Sequence, residues 1–291
     1  MDAAAGPLAL ARHDLGRGRP DRALAALEKV TEAELESFEF WRLRAQALYE
    51  LSRWKEAVAA AEAGLALEPD DVELLDVLAL AQLERGRKRE AQATIDAAIA
   101  IEPDLAELHA HRGVILARRA EKSFRLASYR KARAAVEEAL RLDPQSETAL
   151  RVRAQIAVMS NDRRAREYAE ELLAVEPDDG RAHLIRGVAL ASRGVISEGL
   201  RHYDEAARLD PSDPALAWLG RRSRALRRPF FAPMLFLERA SRGHVRIAWA
   251  LVAFASFHSG QPALTVGAFA FWIYMWVAHA YLRMQTGKEP E

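Results

Sequence analysis

His109 and His111 are the two histidines nearest to each other in this sequence, and histidine pairs are a common source of metal ligands. Two residues apart, they fall on different faces of a helix, so one ion cannot take both. His258 and His279 are twenty-one residues apart. If the segments that hold them pair as a hairpin, they sit near opposite ends of the second segment. Neighbouring carboxylates such as Glu137-Glu138 and Asp178-Asp179 have the atoms for acid–base work. Adjacent in sequence and flanked by charge, they read instead as solvated helix faces and helix starts. The absence of cysteine removes thiol nucleophiles, disulfides and Cys-based zinc sites. No Gly-rich phosphate loop, His-Glu-x-x-His or Gly-x-Ser-x-Gly occurs. No catalytic, cofactor-binding or metal residues are therefore expected, and the chain reads as a binding protein rather than an enzyme.

Charge is balanced as a whole and segregated locally. Forty-two basic and 42 acidic residues give a net charge of zero, so no nucleic acid is expected as a partner. Between Leu219 and Arg246, eight arginines (221, 222, 224, 227, 228, 239, 242 and 246) stand against Glu238 alone. A second basic run, Arg118, Arg119, Lys122, Arg125, Arg130, Lys131 and Arg133, meets only Glu121. It reads either as a docking tip for an acidic partner or anionic lipid, or as a solvated helix end.

The elements that carry these residues repeat. Prolines stand at positions 69, 103, 144, 177 and 211, at spacings of 34, 41, 33 and 34, each after an apolar-acidic pair. Twelve positions before each comes Ala57, Ala91, Ala132, Ala165 or Gly199, and further small or apolar residues follow at intervals of four and three. Such intervals line one stripe of a helix, which the proline ends. Asp70, Asp104 and Ser212 are expected to start the helices that follow. A longer match links His109, Arg112-Gly113-Val114, Leu116-Ala117 and Arg119 with His183, Arg186-Gly187-Val188, Leu190-Ala191 and Arg193, at an offset of 74.

This pattern resembles the tetratricopeptide repeat. Trp41, Ala45, Leu48, Trp54, Ala57, Ala61 and Pro69 carry the resemblance best, followed by Leu75, Leu78, Ala79, Gly86, Ala91, Ile95, Ala98 and Pro103. Five units end at the prolines. A degenerate unit around Gly16, Ala23, Leu27 and Val30 precedes them, and a capping helix follows Pro214. The resemblance implies an all-α superhelix of about six helix–turn–helix repeats over residues 4–228, binding a protein or peptide along the first helix of each pair. By the family's register the groove residues are Glu39, Arg42, Gln46, Tyr49, Glu73, Asp76, Leu80, Glu107, Ala110, Val114, Arg181 and Leu184. The fourth unit has seven extra residues, expected to lengthen its hairpin near 118–133, and the fifth is one residue short.

Beyond the repeats, apolarity becomes continuous. Ala263 to Leu282 is a run of twenty residues without a formal charge. As a helix it covers about 30 Å. With Gly243–Gly260 before it, the run predicts a transmembrane hairpin over 243–282. A basic juxtamembrane segment at 229–242 and a polar tail at 283–291 flank it. Arginines on both flanks place the repeats in the cytoplasm, at a bacterial inner membrane. Lipid contact is expected through the two C-terminal helices and the arginine collar. The function expected from sequence is a membrane-anchored adaptor or scaffold. A structural subunit or assembly factor of a membrane or secretion complex is the alternative, ahead of a soluble co-chaperone.

Overall fold

All of the regular structure among the described residues is helical. The computed structural model describes residues 6–120, 129–233, 235 and 262–287, with the backbone alone at 262–270. The chain divides into two compact units, 1–156 and 157–291. The first opens with α1 (Pro7–Leu15), α2 (Pro20–Leu27) and a short α3 (Glu32–Leu35). Three helix pairs follow: α4 (Phe38–Glu50) with α5 (Trp54–Leu65), α6 (Val72–Glu84) with α7 (Lys88–Ile101), and α8 (Ala106–Ala120) with α9 (Arg130–Leu142). The chain continues through α10 (Glu147–Met159) and α11 (Ala165–Val175) to the pair α12 (Gly180–Ala191) and α13 (Ile196–Leu209). After α14 (Pro214–Leu226) come a 3-10 turn at Pro229–Phe231 and α15 (Pro262–Thr286).

The expected pairs form where the proline spacing puts them. α7, α9, α11 and α13 each stop two residues before their proline, and α5 stops four before. The helix starts are shifted by one from the expected positions. The caps are Asp71, Asp179 and Asp213, two residues past the proline. Their carboxylates accept from Leu74 N at 2.7 Å, Arg181 N at 2.8 Å and Ala215 N at 2.8 Å. The residue next to the proline is still in the turn. There Ser212 donates to Asp210 Oδ1 at 2.7 Å and does not cap α14.

Among the described residues, the turns inside the pairs other than α8–α9 are made in one way. Gly18, Ser52, Gly86, Asn161 and Gly194 all have positive φ, between 51° and 80°. The next backbone N–H reaches back to a carbonyl in the last turn of the helix: Arg53 to Leu48, Arg87 to Gln82, Asp162 to Ala157 and Val195 to Leu190, at 2.8–3.0 Å. This left-handed helix ending satisfies carbonyls that would otherwise be orphaned. Residues 121–128, in the stretch where the fourth unit's hairpin is expected to be longer, lie outside the described residues, and with them Lys122 and Arg125 of the basic tip. The short fifth unit has the shorter second helix, eleven residues in α11 against fourteen in α7 and α13.

Small residues set the helix separations. Ala57, Ala61 and Gly64 on α5 are buried against Ala45, Leu48 and Leu74. At Gly187 on α12, an added Cβ would lie 2.5 Å from the Tyr203 ring and 3.1 Å from the Gly199 carbonyl. α12 and α13 therefore approach as only glycine permits.

The C-terminal expectations need correction. Residues 243–260, the first arm of the hairpin, lie outside the described residues. Among those described, no helix is long and apolar enough to cross a membrane. The second arm lies in α15, which packs Met275, Ala278 and Leu282 against Leu200, Ala225, Leu226 and Phe231. Phe231, assigned from sequence to a membrane-surface segment, is instead fully buried in this cluster. The run was read as a span because no other apolar segment remained to surround it. The last repeat and its capping helix provide that surface, and α15 needs only one face covered.

Candidate partner-binding face

The first helices of successive pairs, α4, α6 and α8, stand side by side in the first unit, and charged side chains bridge from each to the next. Arg12 on α1 pairs with Glu39, and Arg42 on α4 pairs with Glu73 on α6. His111 Nδ1 on α8 lies 2.8 and 2.9 Å from the two carboxylate oxygens of Asp76 on α6, and its Nε2 is 3.9 Å from Glu107. Further along α8, Arg118 meets Glu84 at 3.6 Å. Half-buried Tyr49, Leu80 and Val114 supply apolar surface on the same helices, and the Gln46 amide donates to Glu50 at 3.2 Å.

The electrostatics are concentrated at Asp76 and His111, whose side chains are 16% and 13% exposed. Burial works against a charged imidazole there. The hydrogen bond to Asp76 and the fields of Asp76 and Glu107 outweigh it and raise the His111 pKa above the ordinary 6.5. Burial, with Glu84 and Asp76 nearby, likewise pushes the Tyr49 phenol upward. Among the described residues no group of three or more His, Asp or Glu side chains is arranged to hold a metal ion.

Most of the residues expected from sequence do come to one face: Glu39, Arg42, Gln46, Tyr49, Glu73, Asp76, Leu80, Glu107 and Val114. Ala110 does not. It is fully buried with Val136, Ala139, Ala149 and Val152, because a methyl group is too short to emerge between packed helices. His111 is not among the groove residues expected from sequence, where it is weighed only as a metal ligand with His109. The signal was there in its spacing: Glu107 is one turn before it on the same helix. Arg181 and Leu184 belong to the second unit, the first exposed and the second half-buried. Of the basic tip, Arg118 is tied to Glu84, and Arg119, Arg130, Lys131 and Arg133 are exposed.

The second unit repeats part of this chemistry. His183 Nε2 donates to the Pro177 carbonyl at 3.0 Å, as His109 Nε2 does to Pro103 at 2.7 Å. Arg186 reaches Glu170 at 3.3 Å, as Arg112 reaches Asp96 at 2.8 Å. With its Nε2 donating, His183 accepts at Nδ1 from His202 Nδ1, 3.0 Å away. Burial, and then the proximity of His183 and Arg186, lowers the His202 pKa.

A tetratricopeptide repeat family model matches residues 8–72 and 163–214. No curated protein matches the chain. Among solved structures, a thermophilic tetratricopeptide repeat protein of Thermus thermophilus, TTC0263, is 24% identical, with a TM-score of 0.58 over 65% of this chain and 99% of that one. Human IFIT1, solved as a dimer with PPP-AAAA, is 14% identical, with a TM-score of 0.56 over 91% of this chain and 68% of that one. These likenesses concern the fold. The sequence match over residues 8–72 and 163–214 agrees with the helix pairing, and the fold is that of a tetratricopeptide repeat array.

Proposed function

We propose that the chain is an adaptor that binds a protein or peptide segment along the shared face of α4, α6 and α8. Arrays of this fold present repeated helices as extended binding surfaces. The observation that carries the reading is the composition of these three helices: each begins with an exposed or half-exposed carboxylate (Glu39, Glu73, Glu107) and carries a half-buried apolar or aromatic side chain two to three turns further along (Tyr49, Leu80, Val114). Six acids (Glu39, Glu50, Glu73, Asp76, Glu84 and Glu107) outnumber Arg12, Arg42 and Arg118 there, which favours a segment with basic and apolar side chains. Charge reversal at Glu73 and Glu107 tests it, since both are exposed and neither holds the core. Loss of the partner that co-purifies with the native chain, at unchanged melting temperature, is the expected result. Undiminished recovery of every partner overturns the reading.

The finer part of the proposal is location. The arginines of 219–246 and the uncharged run 263–282 support an adaptor working at a membrane surface, with the repeats on the cytoplasmic side. The alternative, a subunit or assembly factor of a membrane or secretion complex, is favoured by one observation. α15 carries outward apolar side chains against which another helix can pack. A stable complex lost on substitution of Trp276, with the α4–α6–α8 face intact, would establish that alternative.

A further inference from the structure

The outward side of α15 is the largest feature that the binding face leaves unexplained. Met275, Ala278, Leu282 and Thr286 are buried on one side of the helix. On the opposite arc Ile273, Trp276, Val277 and Met284 are 43%, 66%, 41% and 75% exposed, with Trp272 beside them at 56%. At about 100° per residue these positions form one continuous strip. Arg283 lies on its Trp276 flank. On the other flank Tyr281 accepts a hydrogen bond from Arg228 at 3.1 Å. Between Pro262 and Thr286 there is no acidic residue.

From this we infer that α15 lies in the plane of an anionic lipid bilayer, with its outward strip in the interface and its buried side on the last repeat. The inference rests on the membrane-surface part of the proposed function and gives it a contact and a lipid chemistry. Charge complementarity selects the occupant. Exposed Arg227, Arg228 and Arg283 suit anionic headgroups, and indole rings suit the depth at which an apolar body meets a wet edge. A second copy docked strip to strip would offer Arg283 no carboxylate, because neither helix carries one.

The packed side of the helix excludes a perpendicular span. Residues 271–287 run beside α14, which carries Arg221, Arg222 and Arg224, and Trp218 Nε1 lies 3.5 Å from the Gly287 carbonyl. That half cannot enter hydrocarbon while it keeps these neighbours. The nine residues before it cover roughly 14 Å, about half of a bilayer core.

Flotation of the purified full chain with vesicles tests the inference, comparing phosphatidylcholine alone with phosphatidylcholine mixed with phosphatidylglycerol. Binding is expected only to the anionic vesicles, released by alkaline carbonate, and reduced about tenfold by Trp276→Ser together with Val277→Ser. Both side chains are exposed, and an unchanged melting temperature shows that the fold is kept. Equal binding of native chain and variant leaves the membrane location standing and overturns α15 as its contact. Resistance to carbonate overturns the in-plane placement in favour of an integral segment. No binding to either vesicle overturns the contact and the location together. Concentration-dependent dimerisation without vesicle binding, lost in the variant, assigns the strip to a second copy and overturns the inference.

Discussion

α8 in the first unit and α12 in the second carry the same run of residues 74 positions apart, and they differ where it matters. His109 and His183 each tie the first helix of a pair to the proline that ended the previous one. Arg112 and Arg186 each reach an acid on the preceding second helix, Asp96 and Glu170, themselves 74 apart. His111 has no such copy. Its counterpart is Ile185, and the buried pair with Asp76 exists only in the first unit. Contacts that recur with the repeat hold the array together. A contact that occurs once, on the exposed side of the first helices, is where a particular partner would be read.

The comparison is most sharply broken at the glycines. Gly187→Ala sets a methyl group against the Tyr203 ring and the Gly199 carbonyl. It should destabilise the protein by about 1–3 kcal/mol in urea unfolding. Gly113→Ala meets Val136 Cγ2 at 2.5 Å but no backbone atom nearer than 3.6 Å, and should cost less. Equal losses would mean that the two copies are packed alike. The arginines come next. Arg186 is 5% exposed and donates to the Arg166 carbonyl at 2.6 Å. Losing that bond and the packing of a buried side chain, Arg186→Ala should cost about 2 kcal/mol. Arg112 is more than a third exposed. The same change there should cost no more than about 0.5 kcal/mol, because solvent screens its ion pair.

His111→Ile installs the second unit's residue in the first. The folded-state pKa of His111 is raised, so its extra stability is full below the ordinary value of 6.5 and fades as pH rises through the raised value. The variant should therefore lose more stability under mildly acidic conditions than in mild alkali, and show a flatter dependence of urea midpoint on pH. An unchanged pH profile would remove His111 as the titrating group. The smallest effect is expected at Ser52, which holds the left-handed position that glycine holds at 18, 86 and 194. Ser52→Gly should stabilise by about 0.5 kcal/mol, a gain in thermal midpoint with no effect on binding.

Much of the fold was legible because it repeats. Five prolines located the helix ends, and small residues at fixed intervals located the contacts, since one packing geometry recurs. The caps were displaced by one residue because the turn after each proline takes one position more than a simple stop. The left-handed turns went unread at Ser52 and Asn161, where no glycine marks them. Of the groove residues expected from the register, Ala110 is buried, since its exposure depends on what neighbouring helices cover. Nothing along the chain ties Asp76 to His111, which are thirty-five residues apart and meet only because α6 and α8 lie side by side.

The sequence by itself determined the helical repeat, its turns and the places where backbones must come close, because each follows from residues near one another in the chain. It determined as well that 263–282 would be uncharged helix and that arginine would crowd before it. Only the tertiary structure decided which side of that helix is covered: Leu200, Ala225, Leu226 and Phe231 pack on Met275, Ala278 and Leu282. Whether a uniformly apolar helix spans a bilayer or lies on a protein depends on the surface it can reach, and composition does not record that surface.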